Sequence, residues 1–307
     1  MTDWKIAGLP LFRFHFVFGN TKTKEVIGSK INLRLHAKQY RRNNLADVFK
    51  FVANLVGYCL EKIERMISTF PTQFVFLPGL GANHRLFRHQ TVVFPNSYAA
   101  DWIDPLPDES LEQYAVRWAE MIRTELEKRP PAPVIVCGVS LGGMVAPYVA
   151  RHLNAVGCVL LCSIRGPKEF PQWSYLDWWF MRHCFPLRMV RACLLQLGAR
   201  FLLLVPGLRR RFVELEVGQQ MTEMPIRCFA GLTRMMFDWA YRRREETEAP
   251  VFSGPTLQIH GARDLLLPIR LTSPDISIPG GMHTLTLTHP GEINEILERF
   301  AAELKQK

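Results

Sequence analysis

The chain has 307 residues, 48% of them hydrophobic, which suits one large α/β domain with an insertion and argues against several independent domains. Its net charge of +10 is unevenly placed: residues 1–66 hold 12 Lys or Arg against 5 Asp or Glu, a surplus of seven that leaves three for everything after. The basic balance therefore describes a leader segment, and no nucleic-acid partner is expected for the globular part.

Asp3, Arg13 and His15 interrupt any hydrophobic run near the start, so no secretory signal is read there. Phe12, Phe14, Phe16 and Phe18 alternate with Arg13, His15 and Val17, which is strand periodicity; a second strand-like run covers 31–35. From Asn44, which with Asn43 is a candidate N-cap, Leu45, Val48, Phe49, Val52, Leu55, Val56, Cys59 and Ile63 recur at helical spacing. Residues 1–70 are read as a loosely packed basic extension. Its amphipathic helix is also of the kind that binds a membrane surface or a nucleic acid. Met66, just ahead of the first convincing core strand, is a candidate natural start.

From residue 71 the pattern changes. Gln73-Phe74-Val75-Phe76-Leu77 is a continuous apolar run of the kind buried parallel strands show, and it leads into Pro78-Gly79-Leu80-Gly81. Asn83 is placed to cap a helix through about Val93. A short strand follows near 97–101, then a Pro-rich turn. Asp108 or Ser110 caps the next helix, with Leu111, Tyr114, Trp118, Ile122 and Leu126 on its apolar face, and Pro130-Pro131 closes it. Val134-Ile135-Val136-Cys137 is the next buried strand, and a helix to about Leu153 follows it, with Pro147 expected to kink or weaken one turn. Residues 158–162 form another apolar strand. Strands alternating with helices specify a doubly wound, mostly parallel sheet.

The alternation stops over 163–250, which carries Trp173, Trp178, Trp179 and Trp239, a Leu-rich run at 193–205 and the arginine triplets 209–211 and 242–244. This stretch is read as a helical lid over the sheet. Its aromatics either line a substrate pocket or hold the insertion's own helices together. The triplets read as solvated helix faces, with phosphate or CoA binding the sharper alternative. The run at 193–205 is too short, and too interrupted by Gln196 and Arg200, to cross a membrane. The sheet resumes at 256–260 and ends with a short strand at 275–278, and a closing helix covers 290–304. The seven cysteines show no C-x-x-C pair and no zinc-like spacing, so no metal is implied and a reducing cytoplasm is the simplest compartment.

Three chemistry-bearing residues follow strands on one edge of such a sheet. Ser140 lies in Gly138-Val139-Ser140-Leu141-Gly142, a G-x-S-x-G spacing suited to a sharp strand-to-helix turn with a hydroxyl at its apex. Asp264 follows the strand 256–260, and His283 follows the strand 275–278. Ligands of open parallel sheets bind at the carboxyl ends of the strands, where a serine, a base and an acid orienting that base would meet. Each has a plainer reading as well. Ser140 caps a helix, Asp264 caps the turn after it, and the base role could fall to His289, His84 or His260.

Four stretches resemble the α/β-hydrolase superfamily: Leu77-Pro78-Gly79-Leu80-Gly81, Gly138-Val139-Ser140-Leu141-Gly142-Gly143, His260-Gly261-Ala262-Arg263-Asp264 and Gly280-Gly281-Met282-His283. The likeness covers residues 73 to about 305. It implies Ser140 as nucleophile, Asp264 as acid and His283 as base, with an oxyanion hole made by the backbone N–H groups of Leu80 and Leu141. It also implies an acyl-enzyme route on a small-molecule carboxylic ester or thioester, with no cofactor. The same fold hosts C–C bond hydrolysis, acyl transfer, peptide cleavage and catalytically silent binding modules. Pro78-Gly79 stands where the superfamily often has His-Gly, and its first two strands have no clean counterpart, so about six strands are expected.

Overall fold

A computed structural model describes residues 5, 6, 9, 10, 72–171, 197, 217–242 and 251–305. The chain divides into two units, Met1–Ile63 and Glu64–Lys307. Of the first unit, the described residues form an antiparallel ladder of β1 (Lys5–Ile6) with β2 (Leu9–Pro10). The strands expected at 12–18 and 31–35 and the helix from Asn44 lie outside the described residues. So do Trp173, Trp178, Trp179, the triplet 209–211 and, Leu197 apart, the run 193–205.

The second unit is built on six parallel strands: β3 (Gln73–Leu77), β4 (Tyr98–Ala99), β5 (Val134–Val139), β6 (Gly157–Leu161), β7 (Thr256–Gly261) and β8 (Ile276–Ile278). Their spatial order is β4-β3-β5-β6-β7-β8, and every pairing is parallel. The six-stranded sheet and its doubly wound character are as the sequence predicts. Seven α-helices are described: α1 (Arg88–Val93), α2 (Leu111–Leu126), α3 (Leu141–His152), α4 (Val217–Glu223), α5 (Ile226–Arg242), α6 (Leu285–Thr288) and α7 (Pro290–Leu304).

Strand alternation sends successive side chains to opposite layers. Val75, Leu77 and Val136 pack with Trp118 of α2, Val145 of α3 and Leu232 of α5. Phe74, Phe76, Ile135 and Cys137 face the other layer, against Phe87, Phe94 and Ile293, Leu297 and Phe300 of α7. With both faces covered, each fully buried Leu, Ile or Phe stabilises by about 1.5–3 kcal/mol, which is why the strands read as unbroken apolar runs.

Several local expectations are refined. The helix expected from Asn83 is a 3-10 turn (His84–Phe87) followed by α1, and the Asn83 side chain accepts from the Arg85 N–H as its cap. Ser110, not Asp108, caps α2, in a reciprocal capping box with Gln113. α3 continues through Pro147 to His152. Within 163–250 the described residues contribute α4 and α5 and no strand.

The chain leaves β3 toward the layer of α1 and leaves β5 toward the layer of α3. These neighbouring strands thus send their connections to opposite faces, which opens a crevice at their carboxyl ends.

Candidate active site

β5 ends at Val139, and α3 begins at Leu141. Ser140 alone makes the reversal, at φ 53° and ψ −119°. A non-glycine residue held there costs about 1–3 kcal/mol, so the surroundings must enforce it. They do so by close approach. A Cβ on Gly138 would overlap the Gly142 carbonyl, and one on Gly142 would overlap the carbonyl oxygens of Leu77 and Pro78. The Ser140 N–H donates to the Leu161 carbonyl at 3.0 Å, and the Ser140 carbonyl accepts from the Ser163 hydroxyl at 2.6 Å.

The loop after β3 lies against this serine: a Cβ on Gly79 would stand 3.4 Å from the Ser140 Cβ. Residues 79–82 form a turn closed by the Ala82 N–H donating to the Gly79 carbonyl at 3.0 Å, with Gly81 at φ 79°. A positive φ at the third position is the type II requirement, and glycine meets it without strain. The Gly79 carbonyl also accepts from the Trp102 indole N–H at 3.1 Å. Among the described residues, no partner is bonded to the N–H of Leu80 or of Leu141. From the other side, the Gln220 side chain of α4 accepts from the Asn83 N–H at 2.8 Å.

Asp264 and His283, nineteen positions apart, meet: His283 Nδ1 is 2.7 Å from Asp264 Oδ2. The other carboxylate oxygen, Oδ1, accepts the N–H groups of Leu266 at 2.9 Å and Leu267 at 3.0 Å. One carboxylate oxygen thus holds the turn that follows Asp264, and the other meets the His283 ring. The His260 ring, fully buried, lies behind this pair, with Nε2 2.7 Å from the Leu267 carbonyl and 3.4 Å from Asp264 Oδ2. Burial works to raise the Asp264 pKa, but the bonds from His260 and His283 and the Leu267 N–H outweigh it and hold the carboxyl far below its ordinary range. For His260, burial works downward, and the Asp264 carboxylate and the Leu267 carbonyl win, raising it.

A carboxylate only accepts, so the bond to Asp264 puts a proton on His283 Nδ1 and leaves the Nε2 lone pair available as a base. The His283 side chain is 16% exposed, whereas the Asp264 carboxylate behind it is fully buried. The competing histidines are otherwise engaged. His84 is exposed and bonded to Asp101 at 2.9 Å, His260 is buried behind Asp264, and His289 stands at the start of α7 beside the Thr288 hydroxyl.

Two residues that sequence reasoning did not single out link the turns. The Cys162 thiol donates to the Met282 carbonyl at 3.4 Å, next to His283, while Ser163 holds Ser140. Cys162 sits at φ 45°, and a non-glycine residue in that region is visible only once backbone angles are known. Among the described residues, Cys162, Asp264 and His283 are the one group whose donor atoms cluster, within 4.8 Å. Asp264 and His283 are bonded to each other, and burial, with the Asp264 charge, pushes the Cys162 pKa up and keeps it a neutral thiol. That is a poor donor set for a metal, which needs thiolate and a free imidazole. Burial likewise raises the thiols of Cys137 and Cys158, and Cys228 is pushed up to about 12, so none of these is a nucleophile near neutral pH.

The profile of the alpha/beta hydrolase family matches residues 74–296. Among solved structures, an esterase from Thermogutta terrifontis is 16% identical at a TM-score of 0.56, over 76% of this chain and 90% of that one. An enol-lactonase from Burkholderia xenovorans LB400 is 15% identical at 0.54, over 75% and 91%. MenH from S. aureus is 16% identical at 0.52, over 76% and 95%. At these identities the likeness is one of fold. No curated protein sequence matches the chain.

Proposed function

The chain belongs to the alpha/beta hydrolase family, and from that premise we propose that it is a serine hydrolase cleaving a carboxylic ester or thioester through an acyl-enzyme. The observation that carries the reading is the 2.7 Å pairing of His283 Nδ1 with a buried Asp264 carboxylate, at the same sheet edge as the strained Ser140 turn.

In this mechanism His283 Nε2 takes the proton from the Ser140 hydroxyl as its oxygen attacks the substrate carbonyl. Asp264 fixes the ring tautomer and stabilises the imidazolium that forms. The oxygen that becomes negative rests against the N–H groups of Leu80 and Leu141, the second of which opens α3, where the helix dipole favours an anion. His283 then protonates the leaving alcohol or thiol. Afterwards it activates the water that releases the acid.

Of the stretch 163–250, α4 lies over the loop that follows β3: a Cβ on Gly81 would stand 3.2 Å from the Met221 side chain, which supports a lid role for this helix. The buried free thiols of Cys137, Cys158, Cys162 and Cys228 favour a reducing, cytoplasmic setting. Among the described residues, no helix is long and apolar enough to cross a membrane.

A fluorophosphonate probe tests the reading. Labelling is expected at Ser140 and absent in Ser140→Ala, together with turnover of p-nitrophenyl esters in the wild type only. A folded wild-type chain that ignores the probe and every ester and thioester of graded acyl length would overturn it in favour of a binding module.

A further inference from the structure

We propose that Trp102 is a positioning residue: its indole N–H, fastened to the Gly79 carbonyl, locks the peptide that presents the Leu80 N–H to the substrate oxygen. The inference rests on the oxyanion role given to Leu80 above.

The peptide joining Gly79 to Leu80 is trans and planar, so its carbonyl and its N–H point in opposite directions. Whatever holds the carbonyl therefore aims the N–H. Sequence gives this loop little stiffness of its own, because Leu80 is flanked by two glycines. Two donors hold the carbonyl: Ala82 N–H at 3.0 Å, which belongs to the turn itself, and the Trp102 indole at 3.1 Å, which comes from outside it. An indole N–H can donate and cannot accept. A flipped peptide would bring its N–H against the indole N–H, so the bond selects one orientation.

Trp102 is in turn held by α2. Its ring stacks on Trp118 with centroids 4.7 Å apart and an interplanar angle of 25°, and it tilts against Tyr114 at 6.1 Å. The residue before it is tied by the Trp118 indole donating to the Asp101 carbonyl at 3.0 Å. The residue after it is tied twice by the Tyr114 hydroxyl, which accepts from the Ile103 N–H at 3.1 Å and donates to the Ile103 carbonyl at 2.9 Å. Trp118 and Tyr114 are themselves buried in the core. A rigid aromatic stack thus runs from a core helix to a glycine-rich loop, and it ends in a single donor on the peptide whose direction governs the reaction.

Trp102→Phe keeps the stacked ring and removes the donor. The expected result on a p-nitrophenyl ester is a fall in kcat of about tenfold with KM within about twofold, and a melting temperature lowered by no more than about 2–4 °C. The same substitution placed in Leu80→Pro, which has no N–H to aim, is expected to change kcat less than about twofold, because the two changes remove one interaction. Equal losses in both backgrounds would mean a merely structural role and would overturn the inference, as would a full-rate Trp102→Phe. If the Phe protein does not fold, 3-benzothienylalanine at 102, the same ring shape with sulfur in place of N–H, carries the same expectations. A wild-type chain that neither labels at Ser140 nor turns over the ester overturns the hydrolase reading; an active wild type beside a full-rate Trp102→Phe overturns the brace alone.

Discussion

Replacing Leu80 by proline isolates one backbone N–H. Proline has no such group, and its fixed φ suits the second position of the type II turn that residues 79–82 make. The turn's own bond, Ala82 N–H to Gly79 carbonyl, is untouched, and glycine before proline accepts the restriction placed on that position. The lost packing is small. Leu80 is only partly buried, against the main core and the Phe229–Ala230 pair, and proline keeps part of that apolar surface, so the cost is about 1 kcal/mol, under the value for burying a whole leucine. For a domain of this size that lowers the melting temperature by about 2–4 °C. The rate cost is much larger. On the proposed mechanism the Leu80 N–H is one of two oxyanion donors, and losing it removes about 2.7–4 kcal/mol of transition-state stabilisation, a factor of about 10² to 10³ in kcat. KM should change little, since the donor strengthens as charge develops. Steady-state turnover of a p-nitrophenyl ester, with a thermal melt of the same preparation, measures both quantities. A folded Leu80→Pro protein with kcat within about threefold of wild type would refute the assignment of that N–H.

Two further outcomes follow from the geometry. Because Asp264 is held below the ordinary carboxylate value of about 3.9, its contribution to stability is complete above that pH and is lost as the pH falls through the lower folded value. The melting-temperature gap between wild type and Asp264→Asn is therefore expected to narrow from about pH 5 to about pH 3, and a constant gap would contradict the shift. Gly142→Ala puts a methyl group into the carbonyl oxygens of Leu77 and Pro78; backbone cannot yield cheaply, so the cost is about 3 kcal/mol or more by urea titration. A loss below about 1 kcal/mol would mean that the backbone at the Ser140 turn yields more readily than its close approach implies.

The sheet is legible in the sequence because both of its faces are covered. Phe74-Val75-Phe76-Leu77 and Val159-Leu160-Leu161 are apolar without alternation, a pattern few other structures produce. The Ser140 turn is legible because close approach leaves glycine as the one residue that fits at 138 and 142. Which histidine pairs with Asp264 is less so. His260 lies at the end of β7 and His283 follows β8, and only burial and distance separate the one packed behind the carboxylate from the partly exposed one. Trp102 is not legible at all: its partner is a carbonyl 23 positions away, and backbone acceptors leave no mark on composition or spacing. Cys162 and Ser163 escape for the same reason, since the groups they hold are also carbonyls.

The placement of β8 carries a consequence for how the protein fails. It has three residues, pairs among the described residues on one side only, and immediately precedes the loop bearing His283. Short edge segments open locally at lower free energy than the body of a sheet. Fraying there would carry the imidazole away while α2, α3 and the central strands stayed intact. On the proposed mechanism, gentle warming would thus abolish turnover before helical circular dichroism is lost, making activity an early gauge of damage to one rim of an otherwise folded chain.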